Sequence, residues 1–105
     1  MQLGRIALIA AVLCGFGAVP AHAATIEIVV DKLVYTPAEV TAKVGDTIEW
    51  DNKDFLEHTA TANDGSWNVL LPPKKKGSMV VTKAGTFDYY CKLHPNMKAK
   101  LTVTP

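Results

Sequence analysis

Apolar residues follow two different rhythms along this chain. From residue 6 to residue 19 they run almost without a break, IALIAAVLCGFGAV, whereas beyond residue 24 they alternate with polar positions. Alternation is the mark of a strand, because successive side chains of an extended chain point to opposite faces. TIEIVV puts Ile26, Ile28 and Val30 on one face, and TIEW turns Ile48 and Trp50 inward with Glu49 outward. TFDYYC sets Phe87, Tyr89 and Cys91 on a common face with Asp88 opposite, while SMVV and LTV are short β-branched runs. Turn signals separate these segments: VGD at 44–46, NDG at 63–65, KAG at 83–85 and the pair Pro72-Pro73. No stretch keeps a helical period over several turns. Short strands between regular turns, with no repeat and no linker, predict a single all-β domain, an antiparallel sandwich or small barrel.

The unbroken run at the start has another meaning. Arg5 precedes it, and Pro20 and Ala21-His22-Ala23 follow it, which is the basic, apolar and A-x-A order of a secretory leader. It falls short of the roughly 20 apolar residues that a membrane span needs. Cys14 follows Leu13 rather than the small residue that lipid attachment prefers. The expectation is therefore a signal peptide at 1–23, cleaved after Ala23, and one exported domain at 24–105 in a bacterial periplasm, with no stable membrane insertion. Eleven basic residues against ten acidic ones leave the whole chain nearly neutral, which argues against a nucleic-acid binder.

CKLHPNM, residues 91–97, spaces Cys91, His94 and Met97 three residues apart. With Cys14 in the leader, Cys91 has no partner for an internal disulfide in an oxidising compartment, where a lone thiol is unusual. A buried free thiol acting as a small hydrophobe is the plain reading. The neighbouring His and Met make a metal-bound thiolate the better account. An extended chain spans about 3.3 Å per residue, so these donors can share an ion only where the loop turns back. Pro95 helps by fixing its own φ and biasing His94 away from helix. The one other histidine beyond the leader is His58 in EHTATA, where alternation sets His58, Ala60 and Ala62 on one face. Two His, one Cys and a weak Met describe a blue-copper electron-transfer site. Zinc closes a tetrahedral site with four strong donors, and haem attachment would need C-x-x-C-H. Met79 reads as core packing. Lys74, Lys75 and Lys76 read as a solvated loop, or alternatively as a docking patch for an acidic partner.

WDN at 50–52, HTATA at 58–62, GTFDYYC at 85–91 and the C-x-x-H-x-x-M spacing together resemble the cupredoxin (type I blue copper) family over residues 25–104. The spacing is most similar to that of the members with the shortest ligand loops. This resemblance implies a Greek-key β-sandwich with one copper per chain near one end, held equatorially by His58, Cys91 and His94 and axially by Met97. It implies further that Thr59 braces the Cys-containing loop and that the ring edge of His94 carries the electron through an apolar docking surface including Leu93 and Pro95. Glu57 departs from the pattern, since many relatives have Pro there; alternation points it away from His58, toward solvent. The implied function is a monomeric periplasmic shuttle of single electrons, not an enzyme, meeting redox proteins transiently. A dehydrogenase donor and a c-type cytochrome acceptor are examples. A periplasmic copper carrier or storage protein is the alternative, and a fold without a functional metal is a third reading. The carrier predicts an accessible Met- or His-rich cluster, whereas the chain beyond the leader has only Met79, Met97 and two histidines.

Overall fold

The computed structural model describes residues 22–105, so all but the last two residues of the expected leader lie outside the described part. Nine strands follow one another with no helix among the described residues: β1 Thr25–Asp31, β2 Val34–Thr36, β3 Glu39–Lys43, β4 Thr47–Asn52, β5 His58–Ala62, β6 Asn68–Leu71, β7 Lys76–Val80, β8 Gly85–Cys91 and β9 His94–Thr104. They form two sheets, one in the order β2-β1-β4-β7 and one in the order β3-β9-β8-β5-β6.

The alternating residues of each strand face the space between the sheets. Ile28, Val30, Ile48 and Trp50 come from the first sheet and Leu71, Tyr89, Cys91, Leu101 and Val103 from the second, nearly all of them fully buried. Burying one such aliphatic side chain is worth about 1.5–3 kcal/mol, which is why the pattern of faces dictates the architecture. Polar atoms inside the core are paired. The Trp50 indole N–H donates to the Tyr89 hydroxyl at 3.2 Å, and the Tyr35 hydroxyl donates to the Thr59 carbonyl. The Tyr35 and Tyr89 rings meet edge to face at 4.9 Å. Burial pushes the Tyr89 hydroxyl up to about 12 and holds that of Tyr35 well above the usual range.

Two features differ from the expectation. The sheets are mixed rather than antiparallel, since β1 runs parallel to β4 and β3 parallel to β9. Consecutive strands change sheets: β1 and β2 lie in the first, β3 in the second and β4 in the first again, where it settles beside β1. Periodicity reports which face a residue occupies and carries no information on strand direction. Secondly, all five residues of β5 are buried, not only His58, Ala60 and Ala62. Thr59 and Thr61, on the other face, are closed off by a hydroxyl chain: the two Oγ1 atoms lie 2.8 Å apart, and Thr61 Oγ1 donates to Asn68 Oδ1 at 2.6 Å. The other expected faces hold, and Glu57 is exposed.

Candidate metal centre

Three segments converge at one end of the sandwich. His58 opens β5, which lies between β8 and the edge strand β6 in the larger sheet. Cys91 closes β8, and after the two-residue turn Lys92-Leu93 the chain re-enters the ladder at His94, directly opposite Cys91. The register is irregular between Tyr90 and Cys91, and such an irregularity re-aims a side chain at the end of a strand. The turn therefore does what the sequence spacing required, bringing His94 back over Cys91.

Cys91 Sγ lies 3.7 Å from His58 Nδ1 and 3.8 Å from His94 Nδ1, and the three atoms all fall within 4.8 Å of one another. Those separations suit donors that each stand roughly 2.0–2.3 Å from a common ion. His58 and Cys91 are fully buried, His94 is half-buried, and the imidazole rings meet edge to face at 4.9 Å. Met97 follows in β9, buried in the same apolar cluster as Cys91. A thiolate, two imidazoles and a neighbouring thioether fit copper better than zinc, because the fourth donor is too weak to close a zinc site.

The surrounding hydrogen bonds fix these side chains. The Thr59 backbone N–H donates to Cys91 Sγ at 3.3 Å, and the Lys92 N–H donates to Thr59 Oγ1 at 2.9 Å. Thr59 thus grips the Cys91 turn from both its backbone and its side chain. His58 Nε2 stands 2.8 Å from Asp54 Oδ2, so with the ring N–H on Nε2 the Nδ1 lone pair is left facing Cys91. Asp54 is itself anchored: Oδ1 accepts the Lys32 N–H at 2.7 Å, Oδ2 accepts the Leu33 N–H at 3.2 Å, and its own N–H donates to Asn52 Oδ1 at 2.9 Å. Burial alone would raise the Asp54 carboxyl, but the Lys32 N–H, the His58 ring and the Leu33 N–H outweigh it and hold it at about 2. Lys32 and Leu33 both take left-handed conformations, φ 55° and 64°, as the tight turn between β1 and β2 requires. A single carboxylate therefore links that turn to His58.

Asn52, fully buried, holds the loop before His58, its Nδ2 donating to the carbonyls of Leu56 at 2.9 Å, Leu71 at 3.0 Å and Pro72 at 3.2 Å. Outside this frame the flanking loops expose apolar side chains: Phe55 is 82 % exposed, Leu56 and Leu93 are about half exposed, and Pro95 is exposed. Lys74 Nζ sits 4.0 Å above the Phe55 ring, so this lysine covers an aromatic surface rather than standing free in a solvated loop. A cleft of about 270 Å³, lined by Trp67, Met79, Val81, Phe87 and Leu101 among others, opens instead near the Gly85 end of β8 and contains no His or Cys.

Sequence reasoning singled out His58, Thr59, Cys91, His94 and Met97, and the fold gathers the three strong donors in one place. It missed Asp54, Phe55 and Leu56, and it quoted Asn52 within the WDN motif without giving it a role. An acid four residues before a suspected ligand was a usable signal for Asp54; nothing local announced Phe55 and Leu56.

A two-sheet sandwich with His, Cys and His donors converging at one end, and Met on the strand that follows, defines the class of small metal-binding β-proteins to which this chain belongs. The family model described as "Cupredoxin-like domain" matches residues 4–103, and the chain is a member of the cupredoxin-like family. Amicyanin of Paracoccus denitrificans is 34% identical over 84 residues, a match covering 72% of this chain and 64% of that protein. Amicyanin of Paracoccus versutus is 30% identical over 91 residues, covering 81% and 67% respectively. A solved structure of an amicyanin mutant in its reduced Cu(I) form superposes with a TM-score of 0.65 at 32% identity, over 83% of this chain and 87% of that one. This chain thus spans 64%, just under two thirds, of the length of the first of these relatives.

Proposed function

We propose that this protein is an exported blue copper protein that carries single electrons between redox partners. The observation that supports it most is the meeting of His58 Nδ1, Cys91 Sγ and His94 Nδ1 within 4.8 Å, with Met97 buried close by in the chain. On this reading His58, Cys91, His94 and Met97 would together hold one copper. Bound copper would supply a one-electron couple that thiolate, imidazole and thioether donors tolerate in both oxidation states.

The chain's own residues supply the rest. The Thr59 N–H at Cys91 Sγ stabilises negative charge on sulfur and tunes the potential. Asp54 holds the His58 ring in the tautomer that leaves Nδ1 free. The half-buried His94 ring offers the edge at which an electron enters or leaves, and Leu93, Pro95, Phe55 and Leu56 surround the ligand loops with an apolar surface for brief docking. A dehydrogenase donor and a c-type cytochrome acceptor in the periplasm complete the reading, after removal of the leader at 1–23. Burial of Cys91, His58 and Met97 weighs against a copper-delivery role, which asks for donors that another protein can reach.

The test is copper titration of the protein beginning at Ala24, followed by visible absorption through a ferricyanide–ascorbate cycle. One equivalent producing an intense blue band that bleaches and returns is the expected result. A colourless or irreversible complex would overturn the electron-carrier reading.

A further inference from the structure

At the opposite end of β1 from the β1–β2 turn, one carboxylate is organised around a backbone nitrogen. Asp46 is 6% exposed and closes the turn between β3 and β4. Its Oδ2 accepts the Lys43 N–H at 2.9 Å, and its Oδ1 accepts the N–H of Ala24 at 2.8 Å, from 22 residues away. The Thr47 N–H donates to the Ala24 carbonyl at 2.9 Å, so Ala24 is held by both its backbone groups before the β1–β4 ladder begins at Thr25↔Thr47. His22 and Ala23 are exposed and belong to no strand. The order of chemistry is suggestive: the A-x-A signal ends at Ala23, and the next nitrogen along the chain already rests on a carboxylate.

We infer that Asp46 is the built-in docking site for the new amino terminus created when the leader is removed after Ala23. Hydrolysis of the Ala23–Ala24 amide leaves a carboxylate on the departing leader and an ammonium on Ala24. The neutral N–H···O⁻ bond then becomes a charge-assisted ion pair across the same 2.8 Å. The chain needs no rearrangement, because the acceptor is already fixed by the Lys43 N–H. The Ala24 and Lys43 N–H groups already hold the Asp46 carboxyl below its usual range, so the acceptor is ionised before cleavage. Processing would thereby convert the first residue of β1 from a passing peptide into a clamp between β1 and the β3–β4 turn. The inference rests on the reading that this chain is exported and cleaved.

The experiment has two stages, so that failure of each part is visible. Full-length protein is expressed in a bacterium with a functional secretion pathway, and the periplasmic product is measured by intact mass. A mass beginning at Ala24 is expected; any other start, or retention of the leader, overturns the processing step and with it the docking. Protein beginning at Ala24 is then compared, by urea unfolding, with its Nα-acetylated form, in the native sequence and in Asp46→Asn. Acetylation should raise the unfolding constant of the native sequence severalfold and leave that of Asp46→Asn unchanged. Equal effects of acetylation in both backgrounds would overturn the clamp even where the mass is correct.

Discussion

Asp54 is the residue whose replacement tests the site most directly, because it lies outside the candidate donor set and yet holds one of the donors, His58. Its two carboxylate oxygens receive three donors, the Lys32 N–H, the Leu33 N–H and the His58 ring. Asp54→Asn keeps the shape but leaves one acceptor oxygen, and it turns an NH2 group toward N–H groups that need acceptors. At least one bond is then lost, and since the Lys32 and Leu33 N–H groups lie where water reaches them, the cost is about 0.5–1.5 kcal/mol. For a domain of this size each kcal/mol lowers the melting temperature by roughly 4–8 °C, so the apo-protein should melt about 2–12 °C lower. The His58 ring also loses the partner that selects its tautomer, and loss of such an outer partner typically weakens metal affinity by about 10–100-fold. Competition titration of copper against a chelator of known affinity reads the second effect, and calorimetry of the apo-protein reads the first. Unchanged affinity and an unchanged melting temperature would refute the claim that Asp54 positions His58. A lower melting temperature with unchanged affinity would leave Asp54 a structural brace for the Lys32–Leu33 turn alone.

Other expectations concern the core. Burial holds the Tyr89 hydroxyl at about 12, above its ordinary value near 10, so the protonated phenol is favoured in the folded state. The stability it contributes is fully present below pH ~10 and is lost as pH rises through about 12, and Tyr35 acts in the same direction. Urea unfolding from pH 8 to 12 should therefore show a steep alkaline loss that Tyr89→Phe makes shallower, and an unchanged slope would refute the account. Gly77→Ala would set a Cβ 2.7 Å from Leu71 Cδ2 and 2.9 Å from the Leu70 carbonyl oxygen, where the two sheets come close between β6 and β7. It should destabilise by about 1–3 kcal/mol, as overpacking does, and a neutral result in the same unfolding assay would show that this seam yields.

How much was legible in the sequence depended on how local the information was. The faces of β1, β4 and β8 could be read directly, since alternation of Ile28 and Val30, Ile48 and Trp50, or Phe87, Tyr89 and Cys91 is a property of each strand alone. Cys91 and His94 are three residues apart, so their meeting needed only a turn. The parallel pairing of β1 with β4 could not be read, because it follows from how the chain passes between sheets. Nor could the double-sided burial of β5, which depends on Asn68 of β6 and on Lys92 beyond the end of β8. Asp54 was hidden for the same reason: two of its partners, Lys32 and Leu33, come from a turn more than twenty residues away.

The uneven placement of the donors along the chain bears on what metal binding does to folding. Cys91, His94 and Met97 stay within seven residues of one another even when the sandwich is lost, whereas His58 lies 33 residues before Cys91. An unfolded chain therefore still presents a three-donor chelate, and affinity for the unfolded state subtracts from any stabilisation that a metal gives the folded one. If these residues hold copper as proposed, the rise in melting temperature on loading would report chiefly the share of binding that His58 adds. The 91–97 segment would keep its donors together in the unfolded chain, while His58 would have to be brought back by folding.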